Sequence, residues 1–387
     1  MALAGLTPPQ GARIYAYAAL ADYESWQKPV GRPFSLASKL NGAPRLPNAV
    51  PGVDQAVVVA TAYATVANGL FTFSGARSRL NALLADHIGR RRRAGVMIST
   101  VSRSTSFAID LSEELLSWAR TDGRAEASDR PYMPPPKGPA SWVTTFPLFN
   151  PPTDPFAGTV RTFLLSSASE VAIPDPSPFS IRPASPLYQQ AERVRQAHQA
   201  LTDHQRDIAF FWADATGRSI GATPGPAGHW LYNSCSIERQ YSLSPLRGAQ
   251  LRACVTVAMH DALTCCWHHK YRYNLLRPET YIQRHIRPDW APTLMTPSFP
   301  EYPSGHSMLS HAAARIVSAF IGHSPFTDET RTHLGFPATR YLSPTDAADA
   351  ASISRLYGGI HYPLSLTIGA TAAREIGEIV ARRLNLT

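Results

Sequence analysis

Apolar residues recur along this chain with helical rather than strand periodicity. Tyr15, Ala18, Ala19 and Tyr23 share one face of a segment from Gly11 to Trp26, introduced by Pro8-Pro9. Two further helices are predicted over residues 53–70 and 77–92, parted by the run from Phe71 to Gly75. A fourth spans Ser104 to Arg120, with Leu111, Leu115, Leu116 and Trp118 apolar and Thr121-Asp122-Gly123 as its stop. Four helices on short links predict a first bundle.

From Gly123 to Pro186 the texture changes. Pro134-Pro135-Pro136, Pro151-Pro152, Pro155, Pro174, Pro176 and Pro178 forbid long helices. Trp142, Phe146, Phe149, Phe156 and Phe163 predict a packed, ordered excursion that covers part of the protein, with the mouth of a pocket as one place for it. Helical texture returns at Ser185-Pro186, through Ala191, Val194 and Ala197. Thr202-Asp203 caps the next helix, which carries Ile208, Ala209, Phe211 and Trp212, and the stretch from Gly217 to Gly228 breaks the pattern. Ser244–Tyr271, Ser304–Ile321, Asp346–Arg355 and Ser365–Leu384 complete the predicted helices. Strand-like alternation is scarce. The expectation is an all-α chain of two four-helix-type bundles: residues 1–123, a proline-rich connection over 124–186, and residues 187–387 carrying the chemistry.

Composition narrows the class. The chain has 387 residues, 44% hydrophobic against 17% charged, which is globular rather than disordered. A formal charge of +9 suits an anionic ligand, and equally nucleic acid or a membrane surface. No groove-reading motif accompanies it, so nucleic acid is set aside. Arg90-Arg91-Arg92-Arg93 reads as a solvated helix end. Residues 55–76 lack charge before Arg77, yet Gln55, Asn68 and several Thr and Gly favour a buried bundle helix over a membrane span. The start of the chain, broken early by Pro8-Pro9, has no signal-type apolar run; the protein is expected to be cytoplasmic, or exported with a leader absent from this sequence. Cys235, Cys254, Cys265 and Cys266 lack metal-ligand spacing and read as free or buried thiols.

The chemistry gathers between Lys270 and Ser365. Lys270 and Arg277 are separated by six residues, and Arg277 precedes Pro278, where the chain leaves helical geometry. Pro303-Ser304-Gly305-His306 begins a helix: Ser304 suits the N-cap, Gly305 lets its bare N–H approach a ligand, and helix N-termini attract anions. Arg355 and His361 flank Gly358-Gly359, whose flexibility can bring guanidinium and imidazole together. Singly, each cluster reads as surface charge, a plain helix start or a structural histidine. Jointly, three cations, a hydroxyl, a glycine N–H and two imidazoles would hold a tetrahedral oxyanion in an equatorial plane with histidines on its axis. That geometry suits phosphoryl transfer and bound vanadate alike.

Lys-x6-Arg-Pro, Pro-Ser-Gly-His and Ser-Arg-x5-His resemble the three motifs of the superfamily shared by vanadium-dependent haloperoxidases and type 2 phosphatidic acid phosphatases. Phe210-Phe211-Trp212-Ala213-Asp214 and Gly228-His229-Trp230 resemble its soluble haloperoxidase branch. Arg247, Arg252, His260 and Asp261 on the motif helices argue against integral lipid phosphatases.

The resemblance implies a vanadate cofactor held by Lys270, Arg277, Ser304, Gly305 and Arg355, with His361 as the vanadium ligand and His306 as acid–base group. It implies hydrogen peroxide, a halide (bromide, with chloride as a further candidate) and a small organic acceptor as partners, and a homodimer as the candidate assembly. Trp267 and Phe299 match positions bordering the halide pocket in chloroperoxidase-type members, with core aromatics as the plain alternative. A soluble phosphomonoesterase working through a phosphohistidine, or a non-catalytic oxyanion-binding protein, are the other readings. One departure stands out: family members often carry Asp four residues after the last histidine, where this chain has Ser365. Loss of that carboxylate predicts a less basic, less nucleophilic His361.

Overall fold

The computed structural model describes residues 6–27, 35–42, 44–71, 74–135, 138–147, 149–214 and 224–386. Among them are thirteen α-helices and one two-stranded antiparallel sheet. The first four helices are α1 (Pro8–Gln27), α2 (Gln55–Leu70), α3 (Ser74–Arg93) and α4 (Ile98–Arg120), followed by the single turn and a half of α5 (Arg124–Asp129). After the proline-rich stretch come α6 (Pro186–Gln199), α7 (Asp203–Phe211), α8 (Gly225–Gln240), α9 (Pro245–Tyr273) and α10 (Pro278–His285). Then follow α11 (Gly305–Ile321), β1 (Phe326–Asp328), β2 (Thr339–Tyr341), α12 (Pro344–Tyr357) and α13 (Pro363–Arg383). Phe326 pairs with Tyr341 and Asp328 with Thr339. No helix of the described residues is long and apolar enough to cross a membrane.

The spine is α9, 29 residues long and buried on nearly every side from Gly248 to Lys270. A helix buried on nearly every side is enclosed by others, and α1, α8, α11 and α13 enclose it. The small side chains Ala12, Ala16, Ala19 and Ala21 let α1 lie close to both α2 and α9. One hydrophobic cluster runs from Ala12 to Leu384. Asp54 caps α2 by accepting from Val57 N–H and also pairs with Arg91 of the basic run at 2.6 Å. Thr202 and Gln205 form a reciprocal capping box on α7.

Differences from the sequence reading follow the chemistry of each segment. Helix α8 begins at Gly225, so the predicted break, whose residues 217–223 lie outside the described ones, ends earlier than Gly228. Its buried His229, Asn233, Ser234 and Ser236 hide the apolar face. Residues 72–73 of the predicted link between α2 and α3 also lie outside the description. In the excursion Phe163 is buried, but Phe146 is 72% and Phe149 59% exposed, so these two rings do not hold it down. They pack edge-to-face on each other, and Phe146 stands at the rim of the main cavity. The excursion is held by Phe163, Leu164, Leu165, Val171 and Ile173 in the core and by Asp261, whose carboxylate accepts from the N–H groups of Phe163, Leu164 and Leu165 at 2.6, 2.8 and 2.9 Å.

Candidate active site

The three motifs meet at the base of a cavity of about 400 Å³, lined by Trp267, Phe299, Gly305, His306, Ile360 and His361, with Thr145, Phe146, Pro147 and Asn150 of the excursion at its mouth. Ser304 is the N-cap of α11 and accepts from Ser307 N–H. The Ser307 hydroxyl donates to Ser304 Oγ at 3.0 Å, leaving the Ser304 hydrogen uncommitted. A Cβ built on Gly305 would meet Trp267, Cys266 and Lys270 only at ordinary van der Waals distances of 3.7 to 4.0 Å. Packing therefore does not demand glycine there, and Gly305 lines the cavity. Gly359, at φ +75°, makes the turn that leads from α12 to His361. Gly358 is different: a Cβ there would come within 2.7 Å of Leu294, so its role is close packing.

Each cation is completely buried and held by carbonyl oxygens rather than by carboxylates. Lys270 Nζ donates to the carbonyls of Pro300, Glu301 and Pro303 at 3.0, 2.8 and 2.6 Å, which binds the end of α9 to the segment before Ser304. Arg277 donates to Phe299 O and Ile360 O at 3.0 and 2.8 Å. Arg355 Nη2 reaches Ala209 O and Trp212 O at 3.2 and 2.7 Å, taking carbonyls that the end of α7 leaves unpaired. Arg277 Nη2 and Arg355 Nη1 remain buried with no hydrogen-bond partner. Burial lowers Lys270 to about 7 and pulls both arginines down. Unneutralised charge at this density favours an anion.

His361 is buried, and burial together with Arg277, Lys270, Arg355 and His306 holds it well below the usual imidazole range. Its Nδ1 lies 2.7 Å from Glu301 Oε1, and its Nε2 lies 3.2 Å from Arg277 Nη1. A carboxylate on one nitrogen and a cationic donor on the other fix the tautomer, with the proton on Nδ1 and the lone pair on Nε2. This corrects the expectation drawn from Ser365. The carboxylate behind His361 is present, supplied by Glu301 from the loop before Ser304, and Ser365 Oγ donates to its other oxygen at 2.9 Å. The sequence reading missed Glu301 because proximity along the chain ties it to Ser304, not to His361. A lone acid between prolines beside a cationic motif was the available signal.

His306 sits on the first turn of α11 with Nε2 unpartnered, and Asp214 Oδ2 is 3.9 Å away. Burial and Arg355 hold His306 well below its ordinary range, Asp214 opposing them. Behind Asp214 lies a network in which Asp214 and His229 belong to the quoted sequence motifs, while their partners Arg331 and Asp328 went unnoticed in the sequence. Arg331 Nη2 donates to Asp214 at 2.9 Å, and His229 lies between Asp214 at 3.1 Å and Asp328 at 2.7 Å. Burial opposes charge on His229, but the two carboxylates outweigh it and raise the ring to about 9. Trp212 stacks on that imidazole at 4.2 Å. Trp267 and Phe299 have ring centroids 5.0 Å apart on the cavity wall, with Lys270 Nζ 5.2 Å from the Phe299 ring. Among the described residues no group of three or more His, Cys, Asp or Glu side chains could hold a bare metal ion.

Residues 250–386 match the family model of the VCPO second helical-bundle domain. A solved structure described as the first bacterial vanadium-dependent iodoperoxidase superposes with a TM-score of 0.92 at 28% identity, covering 99% of this chain and 93% of that one. A holo-type bacterial vanadium-dependent chloroperoxidase shares the fold with a TM-score of 0.69 at 15% identity, over 99% of this chain and 93% of the other. No curated protein matches the chain. By the family model over residues 250–386, by its fold and by its three motifs, the chain is similar to the vanadium-dependent haloperoxidases.

Proposed function

We propose that this protein is a vanadate-dependent haloperoxidase that uses hydrogen peroxide to oxidise a halide, which then halogenates a small organic acceptor. The observation that carries the reading is the pair of buried, unpartnered guanidinium nitrogens, Arg277 Nη2 and Arg355 Nη1, beside an imidazole whose Nε2 keeps its lone pair. Buried donors without acceptors cost free energy until an oxyanion supplies them. A bare cation is a poor occupant for a site walled by three cations; an oxyanion suits it.

In this reading Arg277, Arg355, Ser304 and the Gly305 N–H would hold the vanadate oxygens, and His361 Nε2 would be the donor to vanadium; Lys270, expected among the oxygen-holding groups, has its three hydrogens on carbonyls and would contribute its charge and brace the Ser304 segment instead. Bound vanadate would supply a centre whose coordination sphere expands readily and activates peroxide toward halide. His306, which lines the cavity and whose buried Nε2 has no hydrogen-bond partner, would take the proton of the incoming peroxide, and Asp214 would steady the resulting imidazolium. Trp267 and Phe299 keep water from the halide side. Iodide, named for the 28%-identical neighbour, joins bromide and chloride as candidates; it is the most easily oxidised of the three.

The runner-up is a soluble phosphomonoesterase. The Glu301 contact favours it, since a carboxylate behind His361 makes Nε2 more nucleophilic. One assay separates the two. Metal-free protein is given orthovanadate, peroxide and iodide, bromide or chloride, beside p-nitrophenyl phosphate without vanadate. Vanadate-dependent halide oxidation is expected; its absence alongside robust ester hydrolysis overturns the reading.

A further inference from the structure

Glu301 stands between Pro300 and Tyr302-Pro303, completely buried, and one residue serves both sides of the site. Its Oε1 accepts from His361 Nδ1 at 2.7 Å and from Tyr362 N–H at 2.9 Å. Its Oε2 accepts from Ser365 Oγ at 2.9 Å. Its backbone carbonyl accepts from Lys270 Nζ at 2.8 Å, and its N–H donates to Leu275 O at 2.9 Å. The cation of the first motif and the imidazole of the third are thus tied to the same short segment.

We propose that Glu301, braced by Ser365, is the positioning residue that presents His361 Nε2, unprotonated, to a tetrahedral oxyanion. The inference rests on the oxyanion-site reading given above. Two independent contacts require the same tautomer, since Glu301 needs a proton on Nδ1 and Arg277 needs a lone pair on Nε2. Carboxylates behind a ligating imidazole fix its ring and raise its basicity. Here the carboxylate comes from the loop preceding α11, while an aspartate at position 365 would reach from the first turn of α13. Ser365 is short enough to leave room for the longer glutamate and still bonds it. Of the remaining contacts only the Tyr362 N–H shares Oε1 with the imidazole, and Ser365 holds Oε2.

The test uses the full, metal-free chain titrated with orthovanadate and, separately, inorganic phosphate, with ¹⁵N spectra of the histidine rings recorded beside binding. Glu301→Gln is expected to weaken orthovanadate binding by about 10–100-fold and to move the His361 proton population from Nδ1 toward Nε2. Ser365→Ala removes only the brace and should give a smaller loss of the same kind. Glu301→Gln combined with Ser365→Asp should recover most of the affinity, a rescue that a merely structural role would not give. A folded Glu301→Gln protein that binds orthovanadate as tightly as the unaltered chain, with unchanged ring resonances, overturns the proposal. If Glu301→Gln does not fold, Ser365→Ala decides it: unchanged affinity and unchanged His361 resonances overturn the proposal. Should the unaltered chain bind neither oxyanion, the oxyanion-site reading fails, and the ring spectra alone decide whether Glu301 holds the tautomer.

Discussion

Arg277 Nη1 donates across 3.2 Å to His361 Nε2, so the guanidinium occupies the lone pair through which His361 would hold the proposed oxyanion. On the proposed reading, loading the site would turn Arg277 from the imidazole toward the oxygens of the incoming anion. Arg277 can do this because its second terminal nitrogen is unpartnered, whereas Lys270 has all three of its hydrogens committed to carbonyls. Arg277→Lys keeps the charge and loses the planar fork. We expect orthovanadate to bind about tenfold more weakly, corresponding to about 1.4 kcal/mol, in equilibrium dialysis of the variant. His361→Ala should abolish vanadate-dependent halide oxidation while leaving the melting temperature near that of the unaltered chain; surviving activity would mean that the ligand is assigned to the wrong residue.

The Asp214–His229–Asp328 network gives a pH signature. His229 is raised from 6.5 to about 9 in the folded chain. A raised basic group stabilises the fold fully below its unfolded value, and that contribution is lost as pH climbs through the folded one. The span corresponds to on the order of 3 kcal/mol at most. Asp214 and Asp328, held below the usual carboxylate range, act on the other side and lose their contribution only as pH falls beneath it. Urea unfolding from pH 6 to about 9.5 should show a decline contributed by His229, set against the opposite trend from Lys270, which is lowered to about 7. In His229→Gln that contribution should be lost; an equal slope would place the titrating group elsewhere.

The helices and the three motifs were legible because each is local. Periodicity announces α1, α9 and α11, and Lys270, Arg277, Ser304, Arg355 and His361 declare themselves by residue type and spacing. What escaped is what tertiary packing decides. Helix α8 buries polar residues toward Asp328, so its apolar contrast is weak, and strands three residues long give no alternation to detect. Glu301 and Asp214 act on histidines that are 60 and 92 residues away along the chain, the first contact direct and the second across 3.9 Å. Ser365 was visible as a departure, but only its contact with Glu301 gives it meaning.

Phe299 is expected to govern halide access. Its ring lies 5.0 Å from Trp267 and 5.0 Å from the Arg277 guanidinium carbon, so it is an apolar wall against two cations. Phe299→Ala opens that wall to water and lets the cations be hydrated, which weakens the local field on a halide. Steady-state assays with iodide and bromide should show a raised KM for both, with kcat changing less. An unchanged KM for each halide would remove Phe299 from the halide path.

Asp261 connects the chemistry-bearing spine to the proline-rich excursion. It lies on α9, completely buried, and its carboxylate is the only partner shown for three consecutive amides from Phe163 to Leu165 among the described residues. Proline-rich chain cannot satisfy its own amides through a helix, so it borrows an acceptor from one. Burial pushes the Asp261 carboxyl up to about 6 against those three donors, which favour the charged form. Asp261→Ala leaves three buried N–H groups without an acceptor, each worth about 1–3 kcal/mol. A loss of roughly 3 kcal/mol or more should appear in urea unfolding, and hydrogen exchange should accelerate at residues 163–165 before it does within α9. Because Thr145, Phe146 and Asn150 of the same excursion line the cavity mouth, loosening this anchor should also raise the KM for a bulky acceptor more than that for halide. Equal changes in both constants would show that the excursion does not shape acceptor entry.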